Sequence, residues 1–358
     1  DGEHGVILSR SNALEAADIG ELRVVDDDAD GLGGIHGGTA ADGHDSVSLG
    51  GLEGLDAVLD VLDSGVGLDL GVEAPSDAGG VELVGTWDIR PDNAKEMKKR
   101  LDGYGLECAS IIPDTFGDSD YGKGSVSSTD PAVRRKALDY LRSMCEVALQ
   151  VDCRIVNLWM AQDGYDYLLT ADYDREREWM TEAIRALASE FPSLKIALEY
   201  KPKEPRNFSY HARMADTILA AQETGCRNVG VTIDTGHGFV GGENVAESIV
   251  LAKRAGDRLF HMHFNDNHGC WDDDMIVSSV HMTTYIEMMF WLRKTGYDGW
   301  LSMDQYPYRE DAIGAISESL HWIKKYETIV DERYDEIERL IGLNDAVETS
   351  RFLRSLLK

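Results

Sequence analysis

Four residues, each at or near the end of a short apolar run, could do chemistry together. They are Glu199 after KIAL, Asp234 after VGVTI, His263 within LFHMHFND and Asp304 after WLSM. Carboxylate oxygens and an imidazole nitrogen are suitable donors for a divalent cation, and four of them from four strand ends read as a metal site. Lys201 lies two residues beyond Glu199 in LEYKPKEP, so on an extended strand both side chains leave the same face. An ammonium beside a metal-bearing carboxylate suits a substrate whose carbonyl or alkoxide oxygen must be held and polarised. The competing reading of Glu199 and Lys201 is a surface ion pair.

A second group follows the first. In TIDTGHG, His237 stands three residues after Asp234 in a glycine-flanked loop able to carry the imidazole back toward Asp234. Alone, this spacing is more often a helix cap than a ligand, and it is the strand-end position that favours the ligand. HMHFNDNHGCWDDD puts His261 and His263 on one strand face, then Asp266, His268 and the run Asp272, Asp273 and Asp274. The run reads either as a solvated loop or as the source of a second cation site with His237. For the site, Asp272 and Asp274 are favoured, because alternate residues can point the same way; His268 is a plain loop residue. Trp159, Phe116 and Trp87 follow earlier strands, where aromatics serve as packing or as apolar walls that exclude water.

These residues need a scaffold that brings strand ends together. From residue 79 the chain alternates apolar strands with helical stretches, the pattern of parallel strands with crossover helices. The expected fold is an α/β parallel (β/α)8 TIM barrel, whose strand ends converge on one mouth. Strands are read at GGVELVG, CASIIP, RIVNLW, KIALEY, VGVTID, LFHMHFN and WLSMDQ. A closed barrel needs an eighth, so the first is atypical or missing; the best candidate is VGLDLGV near 66–72. The barrel is expected over 79–326. Residues 327–358 form a C-terminal helical extension of two charged amphipathic helices, either a clamp on the barrel or, by slight preference, an oligomer contact.

Residues 1–78 differ from the rest. They contain no Phe, Trp, Tyr, Lys or Met, and the first 80 or so hold roughly half of the 36 glycines. Such a Gly/Asp-rich segment has few large groups with which to build a core and is expected to be partly disordered. It reads as foreign to the barrel, as from a mis-set start or a wrong-frame translation; an intact mass of natural protein at the full 39.6 kDa would refute that.

The net charge of -30 repels phosphate backbones and argues against nucleic acid as a partner. No apolar run reaches the length of a membrane span, and the first residues do not read as a signal peptide. Five cysteines without CxxC spacing suit a reducing cytoplasm better than a disulfide framework.

The combination LEYKP, TIDTGH, HFND with a following DDD loop, and MDQ, together with TFGDSDY and TDPAVRR upstream, resembles the bacterial L-rhamnose isomerases, and more distantly xylose isomerase, over about residues 80–326. The resemblance implies that Glu199, Asp234, His263 and Asp304 hold a structural metal, and that His237, Asp272 and Asp274 hold a second, catalytic one. It implies Lys201 at the substrate oxygen near the carbonyl, with Lys201, His237 and Asp304 as the catalytic set. The cofactors would be two divalent ions, Mn first, then Co, Mg or Zn. The substrate would be an open-chain monosaccharide, the reaction aldose–ketose isomerisation by a hydride shift or through an enediol, and the assembly a homo-oligomer, dimer or tetramer. The departure is at the amino terminus, where the first strand and its substrate-facing aromatic have no counterpart.

Three rivals remain. A ketose 3-epimerase or inosose-processing enzyme on the same barrel works with two flanking carboxylates, commonly both glutamates, where this chain has Glu199 and Asp304. A barrel endonuclease would need basic groups around its mouth. A sugar-binding barrel without activity is the reading outside the enzymes.

Overall fold

The computed structural model describes Val6–Leu8 and residues 78–357 except 307 and 308. Eight parallel strands close into a barrel: β1 (Val6–Leu8), β2 (Ala78–Val84), β3 (Glu107–Ile112), β4 (Ile155–Trp159), β6 (Lys195–Glu199), β8 (Val229–Asp234), β9 (Leu259–Phe264) and β10 (Leu301–Met303). Each pairs with its sequence neighbour in that series, and β1 closes the ring between β2 and β10. Two short strands, β5 (Gly164–Tyr165) and β7 (Phe208–Ser209), pair antiparallel outside the barrel.

The expected seven strands form where the apolar runs place them. The stretch 66–72 lies outside the described residues, as does the rest of the segment expected to be partly disordered apart from Val6–Leu8 and Ala78. Val6–Leu8 takes the eighth place, pairing with Leu301–Met303 on one side and with residues of β2 on the other.

Side-chain alternation sorts each strand into two faces. On β6, Ile196 and Leu198 are wholly buried in the layer between sheet and helices, each contributing roughly 1.5–3 kcal/mol by leaving water. The other face meets the lumen, and on β6 it passes from Ala197, in a small apolar cluster with Ile155 and Phe260, to the polar Glu199. Thr232 Oγ1 on β8 donates to Asn157 Oδ1 on β4 at 2.6 Å, although β6 lies between them. His261 on β9 contacts Glu82 on β2, with β10 and β1 between. Contacts between strands that are not neighbours pass through the interior of a closed barrel, so these side chains fill the lumen below the mouth.

The helices begin and end on recognisable signals. Asp130 caps Pro131–Gln150 by accepting from Ala132 N at 2.7 Å, with Pro131 in the first turn where its missing N–H costs nothing. Gly105 and Gly296 close Ala94–Tyr104 and Met282–Thr295 in the left-handed conformation. Ala312–Leu343 joins two helices across a kink at Arg333, and the part after the kink is the first of the two helices expected in the extension. A second helix, Ala346–Ser355, follows the left-handed Asn344. The extension makes the clamp: Ile337, Leu340 and Phe352 are buried in the cluster that contains Phe290 of the barrel helix Met282–Thr295. Ile341, Leu343 and Val347 of the same extension stay exposed.

His211, between β7 and the helix Met214–Glu223, is buried. Burial, with the charge of Arg177 beside it, pulls its imidazole down to about 4. It is neutral in the folded chain and protonates first in the unfolded one, so its contribution is complete above about 6.5 and is lost as pH falls toward about 4. His211→Gln is expected to remove roughly 3 kcal/mol of the acid-side loss of stability, read as a shallower dependence of the urea midpoint on pH between about 7 and 4.

Candidate metal centre

The four strand-end residues meet. Glu199, Asp234, His263 and Asp304 each offer a donor atom within 4.8 Å of the others. His263 Nδ1 lies 3.0 Å from Asp304 Oδ2, 3.5 Å from Glu199 Oε1 and 3.9 Å from Asp234 Oδ2. Glu199 is fixed from the lumen by Asn157, whose Nδ2 donates to Glu199 Oε2 at 2.6 Å. Asn265 Nδ2 likewise donates to Asp234 Oδ2 at 2.9 Å.

Asp234, His237 and Asp272 make a second group that shares Asp234 with the first. The loop TGHG is not a loop: Thr235–Val240 is a short helix, and Asp234 is its N-cap, accepting from His237 N at 2.8 Å. Cap and cluster member, which look like alternatives in the sequence, are one role here. The first helical turn swings His237 back over the mouth, its Nε2 3.0 Å from Asp272 Oδ2 and its Nδ1 3.4 Å from Glu199 Oε1. Gly236 is required for this turn, because a Cβ there would sit 2.1 Å from Asn265 Oδ1.

Asp272 arrives on a stapled loop. Asp266 is wholly buried and accepts from the backbone N–H groups of Val280 and His281 at 2.7 and 2.9 Å, and from Asn267 N at 2.9 Å. Its own backbone exchanges two hydrogen bonds with Met275. The loop is thus tied at both ends of the acidic run. Asp274 is not in either compact group, but burial and the carboxylates of Asp272, Asp304 and Asp234 push its pKa well up, which puts it beside them. His268 is exposed, as expected.

Lys201 Nζ lies 2.8 Å from Asp272 Oδ2 and 3.3 Å from Glu204 Oε2, with only 11% of its side chain exposed. That is not a surface pair. Its ammonium also faces the ring of Trp159 at 5.1 Å. Trp159, Phe116 and Trp87 form one row, with centroid separations of 4.7 and 6.0 Å. Phe116 is held there by Gln162 Nε2, which donates to its carbonyl at 3.0 Å, and by Asp114, which accepts from Phe116 N and Gly117 N.

The electrostatics describe crowded acids balanced by imidazoles. Burial raises the Asp234 carboxyl to about 7, against the pull of His237 and with Asp272 and Asp304 adding to the rise. Burial pulls His237 down, but Asp234 and Asp272 outweigh it and hold it near 9. Burial raises Asp272 too, yet His237 and Lys201 bring it well below the usual carboxylate range. Among the described residues none gives a hydrogen bond to His237 Nδ1, His263 Nδ1 or Asp272 Oδ1, all three buried and bordering the clustered carboxylates. Buried polar atoms rarely stay unpaired. Oxygen and imidazole donors with unpaired atoms facing inward fit divalent cations of the Mn, Mg, Co or Zn kind.

Sequence reasoning missed Glu82. It is wholly buried on β2 and touches both His261 and His263. The signal was an acid inside the apolar run VELV, which only a buried partner can make tolerable.

A closed parallel barrel with its polar side chains gathered at the carboxyl ends of the strands belongs to the barrel class that keeps its chemistry at that face. Within that class the chain belongs to the xylose isomerase-like TIM barrel family, which residues 70–326 match. An uncharacterized protein of Methanocaldococcus jannaschii is 27% identical over 271 residues, covering 74% of this chain and 85% of that one. A xylose isomerase of Dinoroseobacter shibae is 26% identical over 191 residues, 51% of this chain but only 43% of the isomerase. Among solved structures, a D-tagatose 3-epimerase-like protein aligns with a TM-score of 0.59 at 23% identity, covering 72% of this chain and 91% of that one. A D-allulose 3-epimerase of Methylomonas sp. in complex with D-allulose aligns with a TM-score of 0.58 at 18% identity, covering 71% and 88%. At these identities the solved structures share the fold. Among the described residues no helix is long and apolar enough to cross a membrane.

Proposed function

We propose that the chain is a metal-dependent sugar isomerase of the L-rhamnose isomerase type, moving hydrogen between C1 and C2 of an open-chain monosaccharide. The observation that carries this reading is the pair of donor groups joined through Asp234, with the Lys201 ammonium on Asp272. Glu199, Asp234, His263 and Asp304 would hold one divalent cation, Mn first. His237, Asp272 and the shared Asp234, with Asp274 alongside, would hold the other. Bound there, the cations supply Lewis acidity toward the two sugar oxygens that flank the transferred hydrogen.

The chain's own residues do the rest. Lys201 donates to the substrate oxygen next to the carbonyl and steadies negative charge there. Its charge is secure: burial pulls its pKa down, but Asp272, Asp274 and Glu204 more than restore it. The row Trp159, Phe116 and Trp87 covers the apolar edge of the sugar and keeps water from the hydrogen in flight, which favours direct transfer as hydride over an enediol. Phe116→Ala is expected to raise KM about tenfold, the equivalent of about 1.4 kcal/mol of binding, and to lower kcat as water reaches the hydrogen in transfer. Steady-state kinetics check this, and an unchanged KM would remove the wall.

A second reading, a ketose 3-epimerase, draws on Glu199 and Asp304 lying in one group, where one could remove and the other return a proton at C3. Solvent deuterium separates the two. The protein is stripped with EDTA, reloaded with Mn and given a panel of sugars including L-rhamnose in D2O. Restored aldose–ketose conversion without deuterium in the product supports the hydride-transferring isomerase. C3 epimers carrying deuterium support the epimerase. Metal binding with no conversion of any sugar leaves a sugar-binding barrel without activity, and refutes both.

A further inference from the structure

His263 presents two different faces. Its Nδ1 looks into the group formed with Glu199, Asp234 and Asp304. Its Nε2 points the other way, 3.1 and 3.3 Å from the two carboxylate oxygens of Glu82. Glu82, His261 and His263 are wholly buried, and together they also satisfy the spacing of a cation site. The imidazole decides between a third cation and a hydrogen bond. A neutral ring has one nitrogen that accepts and one that carries the proton. If Nδ1 gives its lone pair to a cation in the mouth, Nε2 must carry the hydrogen, and a buried N–H needs an acceptor. Glu82 is that acceptor. His261, two residues earlier on the same face of β9, meets Glu82 through its own Nε2 and so holds the carboxylate in place from the side opposite the mouth.

From this geometry we infer that Glu82 is a positioning residue for the metal centre: it fixes His263 as the Nε2–H tautomer, aims Nδ1 at the cluster, and raises its basicity as a ligand. The inference rests on the reading that Glu199, Asp234, His263 and Asp304 hold a cation. It assigns work to a residue that touches neither substrate nor metal. Carboxylates behind metal-binding histidines typically account for 10–100-fold in metal affinity.

The test is Mn2+ binding to the full-length EDTA-stripped chain, read from the electron paramagnetic resonance of free Mn2+. Wild type is compared with Glu82→Leu, which removes the acceptor, and Glu82→Gln, whose amide oxygen can still accept from His263 while its NH2 turns to His261. The expected result is a 10–100-fold weaker Kd at one site in Glu82→Leu and near-wild-type affinity in Glu82→Gln. Equal affinity in wild type and Glu82→Leu overturns the role of Glu82 and leaves the metal centre standing; no binding by wild type removes the metal centre itself. A second measurement needs no variant. In 15N-histidine-labelled wild-type protein loaded with Zn2+, the His263 ring is expected to carry its proton on Nε2, and a proton on Nδ1 overturns the inference even if Glu82→Leu does not fold.

Discussion

Asp234→Asn is expected to lower kcat by about 1,000-fold or more while leaving the fold intact. Asp234 is the one residue common to both mouth groups, so losing its charge weakens both at once. Charge stabilisation by bound cations is worth several kcal/mol in the transition state, and about 4 kcal/mol corresponds to a thousandfold in rate. The fold survives because the cap needs only an oxygen: the Asn amide can accept from His237 N as Asp234 Oδ1 does now. Cation content by elemental analysis should fall in step with kcat, while the melting temperature of the stripped protein stays close to wild type. A variant that keeps both its metal and its turnover would refute the assignment of Asp234.

Lys201→Met is expected to cost about 100-fold in kcat with a much smaller change in KM. Methionine keeps the length and most of the apolar stem, so packing against Trp159 is retained while the charge is removed. In the proposed isomerase the ammonium would face the substrate oxygen on which negative charge grows, and such groups are worth roughly 2.7–4 kcal/mol. Cations held in the two donor groups would recover part of that loss, which sets the expectation nearer two orders of magnitude. A rise in KM alone would make Lys201 a binding residue, and no change in either constant would make it structural.

How much of this was legible in the sequence depends on how local the signal is. Glu199, Asp234 and Asp304 were legible because each is an acid directly after an apolar strand, a pattern contained in six or seven consecutive letters. Lys201 followed from the two-residue period of a strand. Glu82 was not legible as a partner, since His261 lies 179 residues away and on a strand that is not its neighbour. The helix Thr235–Val240 was hidden because TGHG has poor intrinsic helix propensity; its N-cap and the loop stapled by Asp266 impose it. A three-residue strand such as Val6–Leu8 has no periodicity to detect, whereas the longer apolar stretch at 66–72 does. The extension is amphipathic in the sequence, but amphipathicity alone does not say what covers a face; Ile337, Leu340 and Phe352 are covered by the barrel.

The polar lumen has a consequence for how the barrel chooses its alignment. A strand that slips by one residue turns every side chain to the opposite face. A slipped β2 would thrust Glu82 out among the aliphatic side chains under the helices, and a slipped β9 would do the same to His261 and His263, each a buried polar group stripped of partners at a cost of several kcal/mol. The pairing of β2 with β3 shifts between Val81 and Glu82, and that of β8 with β9 between Val231 and Thr232, in both cases just before a lumen-facing polar residue. Those local offsets let neighbouring strands of unequal phase all present their polar members inward. The interior of this barrel therefore works like the wards of a lock: only one setting of the strands lets the ring close, and it is the setting that brings the acids and histidines of the mouth level with one another.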